Sequence, residues 1–120
     1  MTFLKIGVLG GIGPEATGKF YLKLIKKLQS EGLIRKNEDF PNIFINSIPA
    51  PELIFNKLDS ADIELYLQGL QELDLVQPDF IVMVCNTIHL FHQELQSKIK
   101  SPLIDLRKEV EQEIKRLKTN

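Results

Sequence analysis

The one cysteine of this chain, Cys85, stands where an apolar run gives way to polar residues. Residues 80–84 are strand-forming, and residues 86–89 are typical of the first turn of a helix. At the carboxyl end of a buried strand, the N–H groups and positive dipole end of the next helix stabilise negative charge, which lowers the pKa of a thiol below its usual ~8.5. Cys85 is therefore a candidate catalytic thiolate. A lone cysteine beside an apolar run is also a common small core residue, and this alternative stays open.

Polar residues follow this cysteine directly. Asn86 and Thr87 are ordinary helix caps, but beside a thiol and the amides of a helix start they also suit a small carboxylate. His89 lies one helical turn after Cys85, where it could polarise the thiol, and His92 lies farther along. For both histidines, spacing alone favours a surface or packing role, because pairs at this spacing are frequent. From the residues alone, both interpretations of Asn86 and Thr87, as helix caps or as a small-carboxylate site, stay open.

A glycine-rich turn follows the first apolar segment. Its residues Gly11 to Ala16 fit the loose G-x-G-x-x-A form of a dinucleotide fingerprint. That fingerprint also needs an acidic residue at the end of the second strand, where this chain has Asn46 and Ser47, so we do not expect a nicotinamide cofactor. Two interpretations remain. The glycines permit a tight turn with positive φ, or their N–H groups hold a carboxylate or phosphate.

Apolar spacing along the chain predicts alternating strands and helices. Strands are predicted at 3–9, 42–48, 80–84 and 103–106, and helices at 15–31, 60–73, 86–95 and 107–118. This order predicts an α/β fold, a single domain over residues 1–120 with a four-stranded parallel sheet flanked by helices, flavodoxin-like or Rossmann-like. Such sheets bind ligands outside the carboxyl ends of their strands. The candidate crevice segments are 10–14, 46–51 and 85–89, together with Asp105.

Composition limits the classes of partner. The 120 residues include 15 basic and 16 acidic side chains, for a formal charge of −1, so nothing favours nucleic acid or an anionic membrane surface. The longest apolar runs are five or six residues, far below the ~20 that span a bilayer. One cysteine excludes an internal disulfide and a multi-cysteine zinc site. We expect a cytoplasmic protein without a metal.

Two segments together resemble the aspartate/glutamate racemase family: residues 7–17, GVLGGIGPEAT, and residues 84–89, VCNTIH. The resemblance extends through Phe20-Tyr21 and residues 101–105, and it covers the amino-terminal half of such an enzyme. It implies an isomerase of amino-acid metabolism built from two similar α/β domains. A cysteine from each domain acts as opposing acid and base at the substrate's α-carbon, without pyridoxal phosphate or any other cofactor.

The resemblance also assigns roles to residues. Cys85 matches the first catalytic cysteine, and Asn86 and Thr87 match groups that hold the substrate carboxylate. Further residues are expected to line the pocket, namely Gly11, Ile12, Gly13, Thr17 and Asn46. The expected partner is a small amino acid or carboxylate.

Two departures separate this chain from the family pattern. It contains no second cysteine, and the loop at residues 48–52 lacks the arginine that many aspartate-specific members carry. Three hypotheses therefore compete. The chain is the amino-terminal domain of a longer racemase whose carboxyl-terminal domain is missing here. Alternatively, a homodimer places two Cys85 residues across one composite site. The third hypothesis is a non-catalytic domain that binds a small carboxylate or a partner.

Overall fold

The computed structural model of this chain describes residues 4–11, 13–49, 60–84, 91–104 and 114–117. The elements in chain order are β1 (Lys5–Gly10), α1 (Pro14–Ser30), a 3₁₀ helix (Asn37–Asp39), β2 (Asn42–Ser47), α2 (Ser60–Asp74), β3 (Phe80–Met83), α3 (His92–Gln96) and β4 (Leu103–Ile104). Residues 114–117 are helical. The predicted alternation of strands and helices agrees with these elements. The 3₁₀ helix was not predicted, because three residues leave no periodic pattern. Predicted segments at 86–90, 105–113 and 118 lie outside the described residues.

The four strands form one parallel sheet in the order β2-β1-β3-β4. The predicted fold class is confirmed, and this strand order is the flavodoxin-like one. In the register, Gly10 of β1 lies opposite Ser47 of β2, and Leu9 lies opposite Met83 of β3. The carboxyl ends of these three strands therefore lie side by side.

The sheet separates two apolar cores. One core packs α2 and Leu95 of α3 against alternate residues of β1 and β3. It contains Tyr66, Leu67, Leu70 and Leu73 from α2, Leu9 from β1, and Ile81 and Met83 from β3. The other core packs α1 and Ile114 against the other face of the same strands. It contains Phe20, Leu24 and Leu28 from α1, Ile6 and Val8 from β1, and Phe80 and Val82 from β3. Because β1 and β3 are covered on both faces, their sequences are almost continuously apolar. None of the helices in these ranges is long and apolar enough to cross a membrane.

Helix α1 begins and ends with specific local geometry. Pro14 occupies its first turn, where a missing N–H removes no helical hydrogen bond. At the other end, Gly32 has φ +73°, and its N–H donates to the carbonyl oxygen of Gln29 while Leu33 N–H donates to that of Leu28. This pair of bonds is a Schellman motif, which favours glycine at its left-handed position. The predicted end of this helix at residue 31 agrees with the observed end at Ser30.

Candidate functional site

The carboxyl ends of β1, β2 and β3 form the edge of the sheet where a ligand is expected. Val84 follows β3, and its N–H donates to the carbonyl oxygen of Leu9 at 2.9 Å. On the other side of β1, Ile48 N–H donates to the carbonyl oxygen of Gly10 at 2.9 Å. Strand β1 therefore has β2 on one side and β3 on the other, which makes its carboxyl end the topological switch point of the sheet. Crevices at such points are the usual ligand sites of this architecture.

The glycine turn after β1 is packed tightly between α1 and the end of β2. The N–H of Gly11 donates to the Oγ1 atom of buried Thr17 at 2.9 Å, and Gly11 has φ +109°. A Cβ at Gly11 would collide with the main chain of Ile48, and one at Gly10 would overlap the side chain of Thr17. Close packing thus accounts for Gly10, and packing together with positive φ accounts for Gly11.

Gly13 differs from the other two glycines of the turn. It is exposed, its φ is −87°, and nothing lies within 4 Å of the position a Cβ would take. Neither strain nor crowding among the described residues requires glycine there. Gly11 N–H is engaged by Thr17 and Pro14 has no N–H, so neither residue offers a free amide to a carboxylate at this turn. Gly11, Gly13 and Thr17 remain predicted substrate-binding residues.

Asn46, near the end of β2, ties that strand to α2. Its Nδ2 donates to the carbonyl oxygen of Gly69 at 3.0 Å and to Oε1 of Glu72 at 3.4 Å. The helix comes this close because Gly69 has no side chain: a Cβ there would stand 2.7 Å from Leu9 Cδ1. Sequence reasoning assigned Asn46 to the substrate pocket and missed this contact. The available signal was a glycine inside the apolar pattern of α2, which commonly marks close packing.

Several predicted residues lie outside the described part of the chain: Ile12, Cys85, Asn86, Thr87, His89 and Asp105. Their roles stay predictions. His92 is described: its Nε2 lies 2.6 Å from the carbonyl oxygen of Leu103. A carbonyl oxygen only accepts, so Nε2 carries the proton in this contact. The contact supports a packing role for His92.

Within the described residues, two carboxyl groups with lowered pKa lie at the opposite edge of the sheet, where α1 and α2 end. Burial of Asp74 raises its pKa, but the Ser101 hydroxyl, the N–H groups of Lys100 and Ser101 and the Lys100 charge outweigh it, so the net pKa is lowered. A hydrogen bond from Lys115 is the main cause of the lowered pKa of Glu31. Both groups have structural roles. In the described ranges, no cluster of three or more His, Cys, Asp or Glu residues suits a metal ion.

Comparison with known proteins gives this architecture a family. Residues 9–120 match the family model described as Asp/Glu/Hydantoin racemase. The chain belongs to this family. The resemblance seen in the glycine turn and around Cys85 is therefore confirmed over nearly the full chain.

A curated relative in this family is the broad specificity amino-acid racemase RacX of Bacillus subtilis strain 168. It is 30% identical over 110 residues, which are 91% of this chain and 48% of the relative. The chain therefore spans about half the length of the relative it matches.

Solved structures show the same relation of lengths. A Picrophilus torridus aspartate racemase is similar with a TM-score of 0.69 and 25% identity, over 85% of this chain and 43% of that one. An aspartate racemase homologue from Pyrococcus horikoshii OT3 shares the fold with a TM-score of 0.71 and 24% identity, over 93% and 49% of the two chains. The racemase-family fold of this chain thus corresponds to about half of each longer protein.

Proposed function

We propose that this chain is one half of a cofactor-independent amino-acid racemase of the aspartate/glutamate type, in which Cys85 transfers the α-proton. The observation that carries the proposal is the position of Val84, which is hydrogen-bonded to Leu9 beside the glycine turn. Cys85 is the next residue along the chain. Family membership over residues 9–120 supports the same assignment.

The proposed chemistry is a proton transfer with balanced charge. The Cys85 thiolate takes the α-proton and becomes a thiol, while the electron pair of the broken C–H bond stays on the substrate as a carbanion. That charge spreads into the α-carboxylate, where hydrogen-bond donors stabilise it. Asn86, Thr87 and the first-turn amides of α1 are the proposed donors. Inversion then needs an acid that delivers a proton to the opposite face of the α-carbon.

The chain has one cysteine, so the opposing thiol has to come from outside it. A second domain of a longer protein or a second copy of this chain would supply it. We propose a substrate class of small α-amino acids rather than aspartate alone. Two observations support this breadth: residues 48–52 contain no arginine, and the relative RacX has broad specificity by its own description.

The decisive experiment follows the α-hydrogen in heavy water. The chain is incubated with L-aspartate, L-glutamate and a panel of neutral and basic L-amino acids, and NMR measures loss of the α-proton signal. Chiral chromatography of the same samples measures the D-enantiomer. A half site with one thiol is expected to exchange the α-proton for deuterium and return it to the same face, so deuterium enters with retention of configuration. A complete two-thiol site gives deuterium together with inversion.

Two variants serve as controls. Cys85→Ser keeps the size of the side chain but replaces the thiol with a hydroxyl that is not ionised at neutral pH, and Cys85→Ala removes the group. Both are expected to abolish exchange. Exchange that survives in both variants would refute the proposed role of Cys85. Saturable binding of an amino acid without exchange of its α-proton in the unmodified chain would instead identify a non-catalytic carboxylate-binding domain. That is the alternative function, and the absence of a second cysteine favours it.

A further inference from the structure

The two outer edges of the sheet differ in the hydrogen bonding of their outward main-chain groups. At β4, the N–H of Ile81 donates to the carbonyl oxygen of Pro102, so alternation along the strand turns the N–H and C=O of Leu103 outward. Side chains of α3 occupy both groups. Leu103 N–H donates to Oε1 of Gln96 at 2.7 Å, and His92 donates to its carbonyl oxygen. This edge is therefore closed to another strand.

At the β2 edge, the described residues provide no such hydrogen bonds to the outward main-chain groups. Asn42 N–H donates to the carbonyl oxygen of Leu4, and Ile48 N–H donates to that of Gly10. By alternation, the even-numbered residues between them also face β1, so the N–H and C=O groups of Ile43, Ile45 and Ser47 point away from the sheet. In the part of the chain that the structure describes, these outward groups have no hydrogen-bond partner.

The sequence of β2 lacks the charged residues and proline that often protect a strand edge. Residues 42–47, NIFINS, contain no charged residue and no proline, and the side chain of Ile45 is 43% exposed. Natural edge strands are usually guarded by lysine, proline, a bulge or a covering segment, because an unguarded edge pairs with another strand. The composition of β2 thus favours pairing with a strand from another molecule.

The order of residues in β2 indicates which molecule. Residues 42–46, NIFIN, are the same in both directions around Phe44. Two copies paired antiparallel about Phe44 would place each Ile43 opposite Ile45 of the other copy, and each Asn42 opposite Asn46. Since Ile43 and Ile45 carry the outward groups, the two symmetry-related Ile43–Ile45 pairs become hydrogen-bonded pairs, and the two Phe44 residues form the non-hydrogen-bonded pair between them. The register that places identical side chains opposite each other therefore also pairs the outward N–H and C=O groups of the two strands.

From this agreement, we propose that β2 is a self-association edge: two copies of this chain join through antiparallel β2 strands about a two-fold axis at Phe44. The axis is perpendicular to a continuous eight-stranded sheet. Such an interface is isologous, because the same surface patch of each copy contacts the other. Pro41, which has no N–H to offer, ends the shared ladder on each side.

This dimer does not depend on the proposed racemase chemistry. Antiparallel β2 strands direct the carboxyl edges of the two sheets in opposite directions, so each copy keeps its own separate crevice. It therefore cannot bring two Cys85 residues to one composite site. A β2 dimer that exchanges α-protons without inversion, and one that has no activity, both satisfy the inference.

The experiment combines solution mass with amide exchange of the full chain. Light scattering over a concentration series is expected to approach twice the 13.7 kDa of one chain. In the dimer, hydrogen exchange followed by NMR should protect the amides of Ile43 and Ile45, and this protection should fall on dilution. The amide of Phe44 faces β1 and should stay protected at every concentration. A monomer at all concentrations overturns the proposal, as does a dimer whose Ile43 and Ile45 amides exchange freely.

A matched pair of variants completes the test. Ile45→Lys adds a charge at the proposed edge, whereas Leu75→Lys adds the same charge at another exposed apolar side chain, 82% exposed and outside β2. Ile45→Lys is expected to give the monomer mass at concentrations where the unmodified chain is dimeric, and Leu75→Lys to leave the dimer intact. If Ile45→Lys loses its far-UV circular dichroism, the amide exchange of Ile43 and Ile45 in the unmodified chain decides the question. A folded Ile45→Lys variant that remains dimeric refutes the interface.

Discussion

Substitution of the glycines by alanine separates two reasons for glycine in this fold. Gly11 combines positive φ with a main-chain collision, because a Cβ there meets the carbonyl group and nitrogen of Ile48. Gly32 has positive φ but open space around the Cβ position, and Gly18 lies within α1 with neither constraint. The three Gly→Ala variants therefore isolate strain with collision, strain alone, and helix propensity alone.

The expected magnitudes follow from these differences. A non-glycine residue in a left-handed conformation costs about 1–2 kcal/mol, which applies to Gly11→Ala and Gly32→Ala. Overpacking adds about 1–3 kcal/mol at Gly11, because the main chain of Ile48 cannot rotate away as a flexible side chain can. Gly11→Ala should thus lower the free energy of unfolding by about 2–5 kcal/mol. Gly18→Ala should raise it by about 0.5–1 kcal/mol, since alanine is the better helix former.

Urea denaturation followed by far-UV circular dichroism measures all three. Equal slopes with shifted midpoints would assign the differences to stability rather than to a changed denatured state. The expected order of stability is Gly18→Ala, the unmodified chain, Gly32→Ala and then Gly11→Ala. If Gly11→Ala is no less stable than Gly32→Ala, the close approach of Ile48 does not constrain the turn, and the packing explanation of Gly11 fails.

Two further predictions concern polar contacts. The Asp74 carboxylate accepts hydrogen bonds from Lys100 N–H and Ser101 N–H at 2.9 and 3.0 Å, so Asp74→Asn should cost about 1.5–3 kcal/mol at neutral pH. Because folding lowers the pKa of Asp74, this stability is present above its unfolded pKa and is lost as pH falls through the folded value. The urea denaturation curves of Asp74→Asn and the unmodified chain should therefore converge in acid. A difference in stability that does not change with pH would contradict the assignment. Asn46→Asp should lower thermal stability, since it replaces the donor to Gly69 with a carboxylate near Glu72. Adding Glu72→Gln should recover part of the loss, and no recovery would mean that repulsion between these carboxylates is not its cause.

Much of the fold was predictable because its signals are local. The runs at β1 and β3 are apolar since both faces of those strands are buried, and Gly32 marks the end of α1 by a requirement of its own φ. The contact between Asn46 and Gly69 joins residues 23 positions apart; Gly69 indicates close packing against α2, but no local pattern identifies Asn46 as the partner. Sequence reasoning therefore placed Asn46 at the correct edge of the sheet without its hydrogen-bond partner.

The difference in hydrogen bonding between the two sheet edges also could not be predicted from local sequence patterns. Gln96 closes the β4 edge through both ends of its side-chain amide, one contact with Ser101 and one with Leu103. In the sequence, Gln96 is an ordinary helix residue. The candidate site shows a similar limit: the glycine turn was identified from its composition, but the role of Thr17 as hydrogen-bond acceptor for Gly11 depends on where α1 packs.

The placement of the tyrosines determines how this protein is observed optically. The chain has no tryptophan, and its two tyrosines lie on opposite faces of the sheet: Tyr66 of α2 is buried against the sheet, and Tyr21 is exposed on α1. Near-ultraviolet dichroism therefore reports chiefly the rigid surroundings of Tyr66, whereas quenching of emission by a soluble ion reports chiefly Tyr21. A Tyr21→Phe variant assigns the two signals. The unmodified chain thus contains one intrinsic reporter of its core and one of its surface, and neither requires an added label.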